Sequence, residues 1–113
     1  MKKILLCCAG GMSTSILASR MEKEATECSL ESKIWAVPVG SLEKHIKDGV
    51  DVVLIGPQVR YMMDEVAKIC AEYKIPNGLI PMADYGSMNG KKVLNFALEL
   101  IKKDFQSVSL GDQ

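Results

Sequence analysis

The chain opens on the charged pair Lys2-Lys3 and then runs apolar through Ile4-Leu5-Leu6-Cys7-Cys8 without alternation. An unbroken apolar run over residues 3 to 8 is the pattern of a strand covered on both faces, and it predicts a central parallel strand. From Ser13 to Cys28 the period changes. Leu17, Met21, Ala25 and Cys28 recur every three or four residues, while Arg20, Glu22, Lys23, Glu24 and Glu27 fill most other faces, which predicts an amphipathic helix lying on a sheet. A second strand is expected over Lys33 to Val39. Pro38 near its end favours an edge position, because proline has no N–H to give to a ladder.

Gly40-Ser41 opens a short helix over Leu42 to Lys47, and Asp48-Gly49 closes it. Val52-Val53-Leu54-Ile55 is the clearest buried strand in the chain, predicted over Asp51 to Ile55 and ended by Gly56-Pro57. Between Gln58 and Tyr73, the residues Val59, Met62, Met63, Val66, Ile69, Cys70 and Tyr73 trace one helical stripe. Leu79-Ile80, between Pro76-Asn77-Gly78 and Pro81, is expected to be a fourth strand, followed by a loop through Asp84-Tyr85-Gly86. The last helix is predicted from Met88 or Asn89 to Phe105, with Leu94, Ala97, Leu98, Ile101 and Phe105 inward.

Strands alternating with helices predict an α/β fold, a parallel sheet flanked by helices on both faces. Four strands in the order 2-1-3-4 fit best. Ligands of such sheets bind beyond the carboxyl ends of the strands, where the strand order reverses. That point falls between strands 1 and 3, whose loops begin at Cys8 and Gly56. With 113 residues, 48% of them apolar, the chain fits one globular domain, residues 1–105, with a polar, frayed tail over 106–113.

Fourteen basic and fourteen acidic residues are interspersed along the chain, so no electrostatic footprint for nucleic acid is present. The apolar run after Lys2-Lys3 is too short to cross a membrane and meets glycines and hydroxyls after Cys8. A soluble, cytoplasmic protein is expected. The cysteines stand at 7, 8, 28 and 70 with no C-x-x-C pair, and His45 is the only histidine, which argues against a metal site. Cys7 and Cys8 point to opposite faces of one strand, so a disulfide between them would be strained. Reduced thiols are the simpler expectation.

The candidate chemistry lies in Cys8-Ala9-Gly10-Gly11-Met12-Ser13-Thr14-Ser15. Two glycines permit a tight turn from strand to helix, and three hydroxyl residues supply a cap and extra donors. The free amides and positive dipole end of the helix then form an anion site beside Cys8. A thiol at a helix N-terminus ionises more readily than a free one, and the thiolate is the nucleophile. Cys7, facing the other side of the sheet, is assigned to the core, and so are Cys28 and Cys70 on their helical stripes. His45, between Lys44 and Ile46, is expected to be a solvated helix residue.

A cysteine followed by such a loop is similar to the phosphate loop of cysteine phosphatases, Cys-x5-Arg-Ser/Thr. Here the sixth residue after Cys8 is Thr14, and no Lys or Arg occurs from Cys8 to Ser15. The bidentate clamp on which hydrolases rely is therefore missing. That favours a loop that holds a phosphoryl group and hands it on. No Gly-x4-Gly-Lys-Ser/Thr motif is present either, which weighs against a nucleoside triphosphatase.

Three motifs in order along nearly the whole chain carry a more specific likeness. They are Cys8 to Ser15, then Asp51-Val52-Val53-Leu54-Ile55-Gly56-Pro57-Gln58 with Tyr61-Met62, then Asp84-Tyr85-Gly86 with Met88 and Gly90. In these the chain resembles the IIB components of the lactose, cellobiose and chitobiose class of the bacterial sugar phosphotransferase system (PTS). The resemblance implies a sheet topology similar to that of low-molecular-weight tyrosine phosphatases. It implies a phosphocarrier enzyme without a cofactor, in which a phosphohistidine of the IIA partner donates to Cys8. The phosphocysteine would then donate to a sugar, a β-linked disaccharide such as cellobiose, lactose or chitobiose, held by the membrane partner IIC.

In that scheme the amides of residues 9 to 15 and the hydroxyls of Ser13, Thr14 and Ser15 cradle the phosphoryl oxygens. Met12, Pro57, Gln58 and Tyr61, at the same end of the sheet, are candidates for a surface on which a partner docks. Asp84 and Tyr85 are read as turn residues. The competing assignment is a cysteine-dependent phosphatase or a related arsenate reductase of similar topology. A flavodoxin-like or receiver-like module is a third; a receiver needs acidic residues where this chain has Leu6, Cys7 and Cys8.

Overall fold

The computed structural model describes residues 1–9 and 12–111, with residues 12, 13 and 105–111 described by their backbone alone. Four strands form one all-parallel sheet in the order β2-β1-β3-β4, as the sequence predicts. They are β1 (Lys2–Cys8), β2 (Ser32–Pro38), β3 (Val52–Ile55) and β4 (Asn77–Leu79). Helix α1 (Met12–Glu27) follows β1, and α2 (Leu42–Lys47) follows β2 after a 3-10 turn over Val39–Ser41. A 3-10 segment over Pro57–Met62 and then α3 (Met63–Glu72) follow β3. A short α4 (Met82–Gly86) and the long α5 (Gly90–Gly111) complete the chain.

The unbroken apolar runs of β1 and β3 are explained by burial on both sides. Ile4, Leu6, Val52 and Leu54 face a core built with Leu17 and Met21 of α1 and Val93 and Ala97 of α5. Leu5, Cys7, Val53 and Ile55 face a second core with Leu42 and Ile46 of α2 and Val66 and Cys70 of α3. Helices therefore cover both faces. At the edge, β2 pairs with β1 alone, and Pro38 stands opposite Cys8 at its last position.

Two sets of bonds fix the height of β3 against β1. At the lower end the Lys3 amide donates to Asp51 Oδ2 at 2.7 Å and the Asp51 amide donates back to the Lys3 carbonyl at 2.8 Å. At the upper end the Gly56 amide donates to the Cys7 carbonyl at 2.8 Å. The loops after Cys8 and after Ile55 thus leave the sheet side by side.

Three helices close on a non-glycine residue with positive φ: Ser29 after α1, Lys74 after α3 and Met88 after α4. In each, the next residue's amide reaches back to the final turn, as Ile75 does to the Cys70 carbonyl at 2.9 Å, which satisfies carbonyls the helix end leaves open.

Several boundaries differ from expectation. The stripe predicted to be helical from Gln58 begins as a 3-10 segment, because Val59 (φ −114°, ψ 25°) breaks the α geometry. The expected loop at Asp84-Tyr85-Gly86 is the helix α4, closed by Met88 rather than by a glycine that would have signalled it. Cys28 lies beyond the end of α1 and is exposed, not core. The backbone of α5 continues to Gly111, past the predicted end at Phe105, whose inward side chain lies outside what is described.

Gly90 marks the closest approach of α5 to α1, where a Cβ would stand 2.7 Å from the Arg20 carbonyl carbon and 2.8 Å from its oxygen. Backbone atoms cannot swing aside as a side chain can. Gly90→Ala is expected to destabilise the protein by about 1–3 kcal/mol through overpacking, outweighing the ~1 kcal/mol that alanine gains in helix propensity. Urea unfolding measures the difference, and an equal or higher midpoint would show that the two helices part without cost.

Candidate functional site

The two neighbouring cysteines meet opposite environments because strand side chains alternate. Cys7 is fully buried in the core shared with Cys70, and burial, with Cys70 and Cys8 nearby, pushes its thiol up to about 12. Burial likewise raises Cys70 to about 11. Neither thiol is a nucleophile near neutral pH. Cys8 is the last residue of β1, 5% exposed, at the mouth of the loop that leads into α1. Its Sγ lies 3.6 Å from the Val37 carbonyl on the edge strand, a weak S–H···O contact.

Beyond Cys8, Ala9 is exposed, and Gly10 and Gly11 lie outside the described residues. The backbone of Met12 and Ser13 begins α1, and Ser15 is exposed in its first turn. Thr14 behaves differently from its neighbours. It is 1% exposed, and its Oγ1 shares a 2.9 Å hydrogen bond with the hydroxyl of Tyr85 in α4. The sequence predicts a turn residue at Tyr85. Its side chain is instead buried and joined to a residue 71 positions earlier, which no local signal announces.

The loop after β3 arrives beside this turn. A Cβ at Gly56 would stand 3.3 Å from the Cys7 carbonyl oxygen and 3.0 Å from Gln58 Oε1, so a larger residue would have to displace these neighbours by a few tenths of an ångström where the 3-10 segment approaches the end of β1. Pro57, Gln58 and Tyr61, three of the four candidate docking residues, line one open groove of about 600 Å³. Arg60 stands with them, and Met82, Tyr85 and Gly86 form the opposite side. The side chain of Met12, the fourth candidate, lies outside the described residues. Tyr61 and Met82 are 78% and 61% exposed, a pair on the rim of which the sequence marks only Tyr61 as a docking candidate.

His45 is not freely solvated as expected. It is half-buried, and its Nδ1 accepts a 3.1 Å hydrogen bond from Trp35 Nε1, because the edge strand turns Trp35 toward α2. Among the described residues no group of three or more His, Cys, Asp or Glu is placed to hold a metal, and no helix is long and apolar enough to cross a membrane.

The arrangement sets the Cys8 thiol at a sheet switch point, at the end of β1 and ahead of the first turn of α1, with the groove opening at the start of the loop after β3. Residues 3–96 match the family of the PTS lactose/cellobiose-specific IIB subunit. The chain belongs to that family. Its IIB relatives include the oligo-beta-mannoside-specific EIIB component of Bacillus subtilis, 41% identical over 101 residues, covering 89% of this chain and 97% of the relative. The galactose-specific EIIB component of Lactococcus lactis is also 41% identical, over 104 residues, covering 88% of this chain and 96% of the relative. The solution structure of the cellobiose-specific IIB component of Borrelia burgdorferi superposes with a TM-score of 0.75 at 38% identity, covering 91% and 94% of the two chains. IIB components act as phosphotransferases and work with IIA and IIC partners.

The contrast among the thiols gives a direct test. In native protein at pH 8, iodoacetamide should modify exposed Cys28, whereas Cys7 and Cys70 should stay unmodified until the protein is unfolded, as read by peptide mass mapping. A second measurement follows the sign of the shifts. Unfolding frees both thiols to ionise near their ordinary value of 9.0, while the folded chain holds Cys7 to about 12 and Cys70 to about 11. Their contribution to stability is therefore intact below pH 9 and lost as the pH climbs toward 12. Cys70→Ala should flatten that decline, and an unchanged slope would show that the thiol does not take part.

Proposed function

We propose that this IIB chain is a phosphocarrier whose acceptor is Cys8. The observation that carries this reading is the split between the cysteines: one is locked in the core, and the other ends β1 at the switch point, directly before α1. The thiolate Sγ of Cys8 attacks the phosphorus of a IIA phosphohistidine; the S–P bond forms, the N–P bond breaks, and the imidazole leaves. A sugar hydroxyl oxygen held by IIC then attacks the same phosphorus, the O–P bond forms as the hydroxyl proton is released to solvent, the S–P bond breaks, and the thiolate returns. Phosphoryl transfer asks the protein mainly for positioning and electrostatic support. The amides of Ala9, Gly10, Gly11, Met12, Ser13, Thr14 and Ser15 supply that support, with the hydroxyls of Ser13 and Ser15.

No Lys or Arg lies between Cys8 and Ser15, which suits a carrier that must release its cargo rather than a hydrolase that must drive water onto it. Each helix-end interaction contributes only about 0.3–1 kcal/mol, a scale that fits a transient intermediate. The groove beside the loop, with Pro57, Gln58 and Tyr61 on it and Met12 at the helix start, receives IIA. The sugar is a β-linked disaccharide bound by IIC. Equal identity to relatives named for oligo-beta-mannoside and for galactose is consistent with a sugar pocket outside this chain. The chain works in the cytoplasm, and residues 1–105 form the phosphotransfer domain.

Incubation with phosphoenolpyruvate, the general phosphotransferase proteins and the cognate IIA should add one phosphoryl mass to the wild type and none to Cys8→Ser; labelling that survives the substitution would reassign the acceptor. Tyr61→Ala and Gln58→Ala should each weaken IIA binding by about fivefold or more, roughly 1 kcal/mol. Calorimetric titration reads this, and unchanged affinity in both variants would place IIA elsewhere.

A further inference from the structure

Thr14 stands out as a buried polar side chain within an apolar core. A hydroxyl so placed is costly unless it is paired, and its partner comes from the other end of the chain, Tyr85 Oη at 2.9 Å. Thr14 is the third residue of α1, so its own amide is among those that find no acceptor within the helix. Wherever Thr14 is held, the first-turn amides are held too. The Tyr85 ring reaches further. Its Cε2 lies 3.9 Å from the position of a Cβ on Gly56, and the same ring walls the groove. One side chain therefore bonds to the first turn of α1, walls the groove and faces Gly56 at the start of the loop after β3.

We propose that Tyr85 is a positioning residue for phosphoryl transfer: its hydroxyl braces Thr14, and through Thr14 the first-turn amides of α1, in the geometry a phosphoryl group on Cys8 needs. The inference rests on the phosphocarrier reading above. A hydroxyl pair suits the task because each partner is locked by the other, and neither carries a charge that would compete for the phosphoryl group. Displacing aligned groups by even 1 Å costs transfer rate heavily. Helix ends fray unless they are pinned, and here the pin is a bond to a separate element, α4.

The test compares Tyr85→Phe, Thr14→Val, Thr14→Ser and the double variant Thr14→Val/Tyr85→Phe with the wild type, following transfer from phosphorylated IIA to Cys8 by rapid quench and intact mass. Tyr85→Phe and Thr14→Val should each lower the maximal transfer rate about tenfold or more, with the KM for IIA within about twofold, because Tyr85→Phe keeps the ring that walls the groove and Thr14 does not line it. The double variant should be no slower than either single one, since both remove the same bond. Thr14→Ser, which keeps the hydroxyl, should restore a rate near that of the wild type.

Wild-type rates in Tyr85→Phe and Thr14→Val, or losses that multiply in the double variant, overturn the brace while leaving the carrier intact. A wild type that takes no phosphoryl group on Cys8 overturns the carrier, and the brace with it. Thr14→Ser against Thr14→Val reads the same bond without altering the ring, so the comparison decides even where Tyr85→Phe folds poorly.

Discussion

The burial of β1 on both faces is the constraint from which the rest follows. A strand sandwiched between two helix layers cannot be amphipathic, so its sequence must be apolar at every position, and the alternation of side chains then distributes neighbours between two separate cores. Cys7 and Cys8 are adjacent in sequence and alike in chemistry, yet their environments are set by parity alone. The odd position goes into the core with Cys70. The even position faces the other side of the sheet, at the last residue of the strand, where it is 5% exposed and a loop takes over.

The same constraint places the site. Because β1 is central, β2 and β3 lie on its two sides and the chain must leave in opposite directions, which opens the crevice at their upper ends. The Asp51–Lys3 bonds below and the Gly56–Cys7 bond above hold β1 and β3 in one register. The groove and the cysteine are thereby mounted on a single rigid support. A displacement of β3 by one residue would carry Gly56, Pro57 and Gln58 away from Cys8 together.

Much of this was legible in the residues. Unbroken apolar runs gave β1 and β3, the 3.6-residue period gave α1 and most of α3, and Pro38 marked β2 as an edge. Their alternation was enough to derive the order 2-1-3-4 and the place of the loop. What remained hidden has physical causes. Val59 interrupts the helix geometry while keeping its apolar spacing, so the periodicity reads through a break it cannot show. Ser29, Lys74 and Met88 take a conformation usually advertised by glycine, and α4 went unrecognised for that reason. The Thr14–Tyr85 bond joins residues 71 apart, and the Trp35–His45 bond depends on which way an edge strand turns an indole. Contacts of this kind arise from the fold and leave no trace in local sequence.

Those three helix closures also say something about the margin at which the domain operates. A side chain in the left-handed region costs roughly 1–2 kcal/mol against the right-handed form, whereas glycine adopts it freely and loses only part of that advantage to its greater flexibility when unfolded. Ser29 and Lys74 are exposed and lie off the groove beside Cys8, so the strain there serves no contact of the site. The domain has not been driven to its maximum stability, and it retains headroom for thermostabilisation at positions where catalysis would be indifferent to the change.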